Sequence, residues 1–418
     1  MALKRELGLV STILYGVGII LGAGIYALIG VGAGLAGNML WLAFLVSAII
    51  AIFTGLSYAE LSSLFPKAAA EYHYTKKAFG FETFSFAIGW ILVVGTVIAA
   101  STVSLGFAGY FVNMFGGDKV IVAAGLIFLM SALNYVGIRE SAKFNNFASI
   151  IEASGLILVV AVWFLFPPEV PGDLLQLPET GIAGIMGAIG VIFFAYIGFE
   201  NIANLAEEVK DSRRNIPLAL IISLVISTVL YILVSMAAVS EVGSQALSES
   251  DAPLTMVVTR GLGEYASILS VIALFATGNT VLIFLIAASR ILYGMSKGKS
   301  LPAFLSKTDS HGTPMYAILA AAIAASVIAF SGDIKTIAQL TDLGVFIAYA
   351  AVNAALIALA GRKLKRPFTS PRLFGIPVLA WFGIASSLFM LITFELNLWL
   401  LEIAIILVGF IFFTLSKK

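Results

Sequence analysis

Residues 16–30 read GVGIILGAGIYALIG, with glycines at positions 16, 18, 22 and 24 among apolar side chains. This stretch lies inside an uncharged run from 8 to 35, and about 20 apolar residues are enough to cross a bilayer. The run therefore predicts a membrane span. Glycine weakens a helix by about 1 kcal/mol relative to alanine, so the cluster also predicts a point where the span can unwind.

Eleven more long apolar runs follow along the chain. They cover 40–65, 84–112, 120–138, 145–166, 182–207, 216–240, 264–296, 314–331, 336–360, 373–392 and 397–414. The chain is 60% hydrophobic and 11% charged, whereas soluble domains carry about 25% charged residues. We therefore predict an all-α integral membrane protein of about twelve transmembrane helices, forming a single domain over residues 1–418.

The basic residues test this count of spans. If the spans alternate in direction, 21 of the 24 lysines and arginines fall on one side, and the exceptions are Lys119, Arg260 and Lys335. Positive residues gather in cytoplasmic loops. The sequence therefore predicts a multi-pass protein of the cell membrane with both termini in the cytoplasm.

The scarcity of reactive side chains limits the chemistry. The chain has no cysteine and only two histidines, His73 and His311, both expected in loops. Disulfides and thiolate metal sites are excluded. Two histidines leave little for a metal centre, so we expect no metal site, and we expect no cofactor. The net charge of +1 does not indicate a nucleic-acid partner, and we expect none. A membrane-embedded enzyme would need a nucleophile with a base, or a metal cluster, within the spans.

A second unusual stretch, FFAYIGFENIANLAEE at 193–208, lies in the sixth run. It stands five spans after the first, so the two helices run in opposite directions. Interrupted helices at matching positions of two inverted halves are typical of a transporter's binding site. We accordingly predict inverted repeats at about 8–166 and 182–360, followed by extra helices at about 373–414. The alternative is that these glycines serve close helix packing.

The two interruptions predict complementary halves of one site. A helix that restarts after Gly24 points free N–H groups at a cavity, and a carboxylate is their natural partner. A break near Tyr196 would leave carbonyls free to accept from an ammonium group. Together they favour a zwitterion, that is, an amino acid. The predicted binding residues are Gly22, Ala23, Gly24, Ile25, Phe194, Ala195, Ile197 and Phe199.

Ionisable residues inside spans are expensive and are functional candidates by default. Glu152 in the fifth span could bind a proton, could help hold sodium near Thr277 and Thr280, or could simply hydrogen-bond a neighbouring helix. Glu200 could act in coupling or could accept main-chain N–H bonds where the sixth helix restarts. No acidic residue is clearly placed in the predicted pocket, which favours neutral substrates.

Four motifs carry a family resemblance. They are GIILGAGIY (18–26), SYAELSSLFPKAAAEYHY (57–74), FFAYIGFENIANLAEEVKDSRRNIPLA (193–219) and SRILYGMSKGKSLP (289–302). With them, the chain resembles the amino acid permeases of the amino acid–polyamine–organocation superfamily over essentially its whole length. The resemblance implies an inverted-repeat transporter of spans 1–5 and 6–10 with two added spans, and amino acid transport by alternating access.

The resemblance also implies roles for particular residues. The carboxylate-binding turn falls on Gly22, Ala23 and Gly24, the aromatic gate on Phe194, and the glutamate after the sixth-span break on Glu200. Where some proton-coupled relatives carry a lysine, this chain carries Glu152. The coupling ion, proton or sodium, therefore stays open, as does the choice between symport and exchange. A channel is the alternative from another class, and no oligomeric state is predicted.

Overall fold

The computed structural model describes residues 3–168, 173–250, 252–309, 312–330 and 334–417, except for the side chains of Ala23, Ala27 and residues 334–338. Twelve helical spans follow one another through this part of the chain. Spans 1 to 6 are Leu9–Ala36, Leu40–Leu64, Glu82–Phe115, Lys119–Val136, Ile138–Leu165 and Ile182–Asn204. Spans 7 to 12 are Ser212–Val242, Ile268–Lys297, Met315–Ala329, Ile334–Ala360, Val378–Ile392 and Leu396–Ser416.

The predicted fold class is confirmed. Within the described residues, ten stretches are long and apolar enough to cross a membrane, with mean hydropathy between 1.8 and 2.6. Two shorter apolar helices, spans 9 and 11, complete the series. The protein is an all-helical, multi-pass membrane protein.

The structure differs from the predicted elements in the connections. Span 5 begins at Ile138 and not near 145, because a charged first turn with a Glu140–Lys143 ion pair of 2.7 Å precedes its apolar part. The link between spans 2 and 3 contains a helix, Ala70–Phe79, that was not predicted from the sequence. The link between spans 7 and 8 holds two short helices, Ser244–Ser248 and Pro253–Leu262.

The packing places span 1 at the centre of the bundle. It contacts spans 5, 6, 7 and 8, while span 3 packs against spans 8 and 10. Spans 11 and 12 lie outside this group, against spans 2, 3 and 10. A membrane bundle cannot rely on the hydrophobic effect between helices, so close approach at small residues stabilises it instead.

Leu7 and Lys417, near the two ends of the described chain, lie at one end of the bundle, which we call the terminal face. Leu7 forms a parallel bridge with Val209, just beyond span 6. Lys417 Nζ lies 3.4 Å from Glu82 at the start of span 3, and Glu82 also contacts Lys76 on the Ala70–Phe79 helix at 3.3 Å. The other end of the bundle is the opposite face.

Candidate functional site

Span 1 is interrupted at Gly22, whose φ of −27° and ψ of −142° are not helical. A Cβ at Gly22 would collide with the Thr280 hydroxyl on span 8. A Cβ at Gly24 would come within 2.7 Å of the Ala195 Cα on span 6. The absence of side chains at these two positions therefore lets the main chain of span 1 approach both neighbouring spans.

Span 6 is interrupted opposite this point. Its first helix ends at Ile192, a 3₁₀ turn covers Phe193–Tyr196, and Ile197 is extended, with φ of −63° and ψ of 139°. Gly198 has a φ of +117°, which favours glycine. A Cβ on Gly198 would lie 2.7 Å from the Ile19 side chain. The interruptions of spans 1 and 6 thus face each other, at the places that the glycine patterns indicate.

A tyrosine that the sequence reading missed joins the two interruptions. The Tyr231 hydroxyl, on span 7, lies 3.0 Å from the Ala195 carbonyl of span 6 and also contacts the Ile20 carbonyl of span 1. The Tyr231 ring packs against Phe44, with centroids 5.1 Å apart. Tyr231 is therefore placed to hold the two broken spans in register.

The main-chain carbonyls of Phe194, Ala195 and Ile197, predicted to be free at the sixth-span break, differ in the hydrogen bonds that they accept. The Phe194 carbonyl accepts from the Ile197 N–H at 3.1 Å, and the Ala195 carbonyl accepts from Tyr231. The Ile197 carbonyl accepts none of the hydrogen bonds described for this segment. A carbonyl oxygen has two lone pairs, so the two occupied groups can each accept a further bond.

A small cavity, which we call the central cavity, lies between the interruptions. Its volume is about 20 Å³, room for roughly one water molecule. It is lined by Ile19, Ile20, Gly24, Ala99, Val103, Phe194, Ala195, Ile197, Thr280, Phe284 and Thr341. Spans 1, 3, 6, 8 and 10 thus all contribute to its wall.

A larger cavity of about 630 Å³, the wide cleft, lies towards the opposite face. It is lined by Leu28, Val31, Met186, Gly187, Gly190, Val191, Phe194, Gln339, Asp342, Phe346, Met390, Thr393, Phe394 and Glu395. Phe194 lines both cavities and therefore stands between them.

Of the predicted binding residues, the structure places Gly24, Phe194, Ala195 and Ile197 in the wall of the central cavity. Gly22 lies beside it, against Thr280. For Ala23 only the main chain is described.

The last two predicted binding residues do not line the central cavity. Ile25 is fully buried outside its wall. Phe199 packs towards the terminal face, with its ring 5.8 Å from Tyr58 and 5.4 Å from Tyr349. Phe199 directly follows Gly198, whose positive φ takes the main chain out of the helical conformation.

Glu152 is completely buried, and neither of its carboxyl oxygens has a hydrogen-bond partner among the described residues. The Tyr26 hydroxyl, close to Gly155 one turn along span 5, is likewise without a partner there. A buried carboxyl group in this setting is expensive when ionised, because burial removes its hydration. Glu152 is therefore a candidate for a functional role within the described spans.

No described contact joins Glu152 to Thr277 or Thr280. Both hydroxyls donate to carbonyls of their own helix, those of Ala273 at 2.7 Å and Ala276 at 2.9 Å. A hydrogen bond between spans 5 and 8 is made by Ser149, which accepts from the Asn279 amide at 3.3 Å. A Cβ on Gly18 would collide with Ser149, so spans 1, 5 and 8 meet one turn below Glu152.

Glu200 has three donors. It accepts from the Gly198 N–H at 2.9 Å, the Asn201 amide at 3.1 Å and the Tyr349 hydroxyl at 2.7 Å. The first of these is a main-chain bond at the restart of span 6. Glu200 thus stabilises the non-helical segment and ties it to span 10.

Towards the terminal face, charged side chains close the bundle below the central cavity. Arg290 donates to Glu208 through Nε at 3.0 Å and Nη2 at 2.8 Å, and both side chains are buried. Its Nη1 donates to Asn134 at 2.7 Å and to Ser289 at 2.9 Å. Glu60 accepts from Arg366 and Arg372 nearby. Glu208 and Glu60 thus connect the ends of their spans to arginines of other segments.

The Ala70–Phe79 helix seals the same region. The Asn204 side chain accepts from the Ala70 N–H at 2.8 Å and donates to Glu71 at 3.3 Å. Burial, reinforced by the nearby charge of Glu200, raises the pKa of Glu71 to about 7. Burial lowers the pKa of His73 to about 4. His311, the other histidine, lies outside the described residues.

Comparison with known proteins places these features in context. The family model described as amino acid permease matches residues 7–412. The chain is 29% identical to the branched-chain amino acid permease BcaP of Bacillus subtilis, over 94% of this chain and 88% of the relative. It is 28% identical to the methylthioribose transporter of the same organism, over 100% of this chain and 94% of the relative. It is 29% identical to the mitochondrial cationic amino acid transporter 3 of Arabidopsis thaliana, over 85% of this chain and 62% of the relative.

Proposed function

Because the chain belongs to the amino acid permease family, we propose that it is a secondary active amino acid transporter that works by alternating access. The observation that carries this proposal is that the interruptions of spans 1 and 6 face each other across the central cavity. The substrate is an amino acid zwitterion. Its carboxylate accepts from the main-chain N–H groups of Gly22, Ala23, Gly24 and Ile25, and its ammonium group donates to carbonyls of span 6.

The repeat organisation and orientation are part of the same proposal. Residues 8–166 and 182–360 form two inverted repeats, and the helices within 373–414 are additions outside them. The protein lies in the cell membrane with its terminal face in the cytoplasm. This orientation is supported by the 21 of 24 basic residues that the span order assigns to that face.

Two barriers alternate in this scheme. Phe194 is the thin barrier between the central cavity and the wide cleft, which faces outside. The buried Arg290–Glu208 pair and the Ala70–Phe79 helix form the thick barrier on the cytoplasmic side. Substrate enters past Phe194 and leaves when the cytoplasmic contacts separate.

Transport activity is tested by reconstituting the purified protein in liposomes. Saturable, stereoselective uptake of an amino acid that unlabelled substrate competes away supports the proposal. Uptake that occurs only with amino acid inside the liposomes assigns exchange in place of net transport. Unsaturable conductance would identify a channel, and chemical conversion of the substrate would identify an enzyme; either result contradicts the proposal.

We further propose that Glu152 couples transport to a proton. The proposal is supported by its complete burial and by the lack of hydrogen-bond partners among the described residues, since such a group gains or loses a proton when water reaches it. The other two roles are a sodium site shared with Thr277 and Thr280, and structural hydrogen bonding. Sodium receives less support because both threonine hydroxyls already donate to carbonyls of span 8.

Glu152→Gln separates the three roles, since glutamine keeps the shape but cannot titrate. If Glu152 carries the proton, the variant loses gradient-driven accumulation and the pH dependence of uptake, yet still binds and exchanges substrate. If it helps hold sodium, the wild type needs sodium and the variant depends on it less. Wild-type accumulation with an unchanged pH profile and ion requirement would leave only the structural role.

A further inference from the structure

The wall of the central cavity away from the two interruptions is apolar except for two threonines. Span 3 contributes Ala99 and Val103, and span 8 contributes Phe284. Ile19 and Ile197 complete this surface at its edges. A zwitterion held by the interruptions of spans 1 and 6 directs its side chain at this wall, because the main-chain groups of those spans occupy the other side.

The cavity wall contains two hydroxyl groups, and both donate elsewhere. Thr280 donates to the Ala276 carbonyl at 2.9 Å. Thr341 donates to the Gly95 carbonyl at 3.4 Å. A hydroxyl group has only one hydrogen to donate, so neither threonine has one left for an oxygen on the substrate side chain.

Charged groups lie near the cavity but outside its wall. Asp342 and Glu395 line the wide cleft, on the other side of Phe194. Glu200 is occupied by three donors. No charged side chain is present among the described residues that line the central cavity. A cationic or anionic side chain would thus be buried there without a counter-charge, which is strongly unfavourable.

We infer that the transported amino acid has an uncharged, aliphatic side chain, and that Ala99, Val103 and Phe284 determine its size. This inference rests on the proposed function and adds the substrate class. One methylene group in an apolar pocket changes selectivity by about 10- to 200-fold. Small changes at Ala99 and Val103 should therefore reorder the preferred amino acids without abolishing binding of the shared zwitterion.

The experiment measures the affinity of the purified protein for alanine, valine, leucine, isoleucine, phenylalanine, serine, lysine and aspartate. Thermal stabilisation reports binding, and competition for uptake reports transport. We expect the aliphatic amino acids alanine, valine, leucine and isoleucine to be preferred, with lysine and aspartate weaker by roughly 100-fold or more. Ala99→Leu, which fills the pocket, should shift preference from leucine towards alanine by roughly 10-fold or more. Val103→Ala, which enlarges it, should shift preference towards phenylalanine.

A matched control is Val225→Ala, the same change at a half-exposed position of span 7, which should leave the order unchanged. Unaltered preference in folded Ala99→Leu and Val103→Ala would overturn the inference. Preference for lysine that Asp342→Asn removes would also overturn it, because the side chain would then reach the wide cleft. In both cases amino acid transport itself stands. If no amino acid binds or is transported, the proposed function fails instead.

Discussion

Removal of the Arg290 side chain should open the cytoplasmic barrier. The guanidinium group makes two hydrogen bonds to Glu208, at 3.0 and 2.8 Å, and two more to Asn134 and Ser289. Both members of the ion pair are at most 2% exposed. In Arg290→Ala, the Glu208 carboxylate stays buried without a counter-charge for as long as the barrier remains closed.

The size of the effect follows from this burial. Leaving one member of a buried ion pair uncompensated costs about 3–5 kcal/mol. If water reaches Glu208 when the barrier opens, that cost falls on the closed state alone. Since each 1.4 kcal/mol is a factor of ten, the equilibrium should shift towards the open state by roughly 10²- to 4 × 10³-fold.

Cysteine labelling measures this shift, because the chain has no cysteine of its own. Ile286 lies one turn of span 8 from Arg290, is 1% exposed, and lines a small cavity near Leu7 and Ser11. Ile286→Cys should react slowly with a membrane-impermeant maleimide applied from the cytoplasmic side. Adding Arg290→Ala should accelerate the reaction in proportion to the open population.

Two further variants test the cause. Lys297→Ala breaks a neighbouring surface pair, with Lys297 46% exposed and 3.2 Å from Glu207, and should change labelling by less than about fivefold. The double variant Arg290→Met with Glu208→Leu removes both charges and should return labelling towards the wild-type rate. Equal labelling of Arg290→Ala and Lys297→Ala, or a double variant as reactive as the single one, would refute the electrostatic reasoning.

Three other outcomes are expected. Gly24→Leu should insert normally yet abolish uptake, because its side chain collides with Ala195; normal uptake would leave the glycine a packing role only. Tyr231→Phe should weaken substrate binding by about 1–3 kcal/mol, since two buried carbonyls lose their donor; an unchanged affinity would argue against a positioning role. Between pH 4.5 and 7, native Glu71 keeps a proton that the unfolded chain loses, so its contribution to stability falls as pH rises. Between pH 4 and 6.5 the unfolded chain protonates His73 and the native protein does not, so the contribution of His73 to stability rises with pH. Glu71→Gln removes the opposing contribution, and its Tm should therefore rise with pH in this range. A Tm profile like that of the wild type would contradict the raised pKa of Glu71.

The spans were predictable because their signal is local. A helix that crosses a bilayer must form all its main-chain hydrogen bonds internally and cover the main chain with apolar side chains. Each span is therefore visible in the sequence as a long run of apolar residues. The predicted and observed spans agree closely except at the starts of spans 5 and 11. An ion-paired turn extends span 5 back to Ile138, and span 11 begins later than predicted, at Val378. The Ala70–Phe79 helix was missed because it is short and only partly apolar.

The site was less accessible to prediction. Gly22 and Gly198 could be found because glycine clusters show where a main chain can leave the helix. Tyr231 could not be found, because nothing in its own span distinguishes it from an ordinary membrane tyrosine. Its role arises from the fold, which brings span 7 against both interruptions. Phe199 was predicted from its adjacency in sequence to the break, and its ring packs against Tyr58 and Tyr349 instead of lining the central cavity.

The Tyr231 hydroxyl contacts two main-chain carbonyls at the centre of the protein but can donate a hydrogen bond to only one of them at a time. A phenol has a single hydrogen, yet its oxygen lies between two carbonyl acceptors, those of Ile20 and Ala195. At any instant one of these carbonyls has no proton from Tyr231. A primary ammonium group brings three N–H bonds and can make up this deficit, whereas each N-methyl group removes one of them. The arrangement therefore disfavours trimethylated ammonium groups, which have no N–H left to donate, independently of the shape of their side chains.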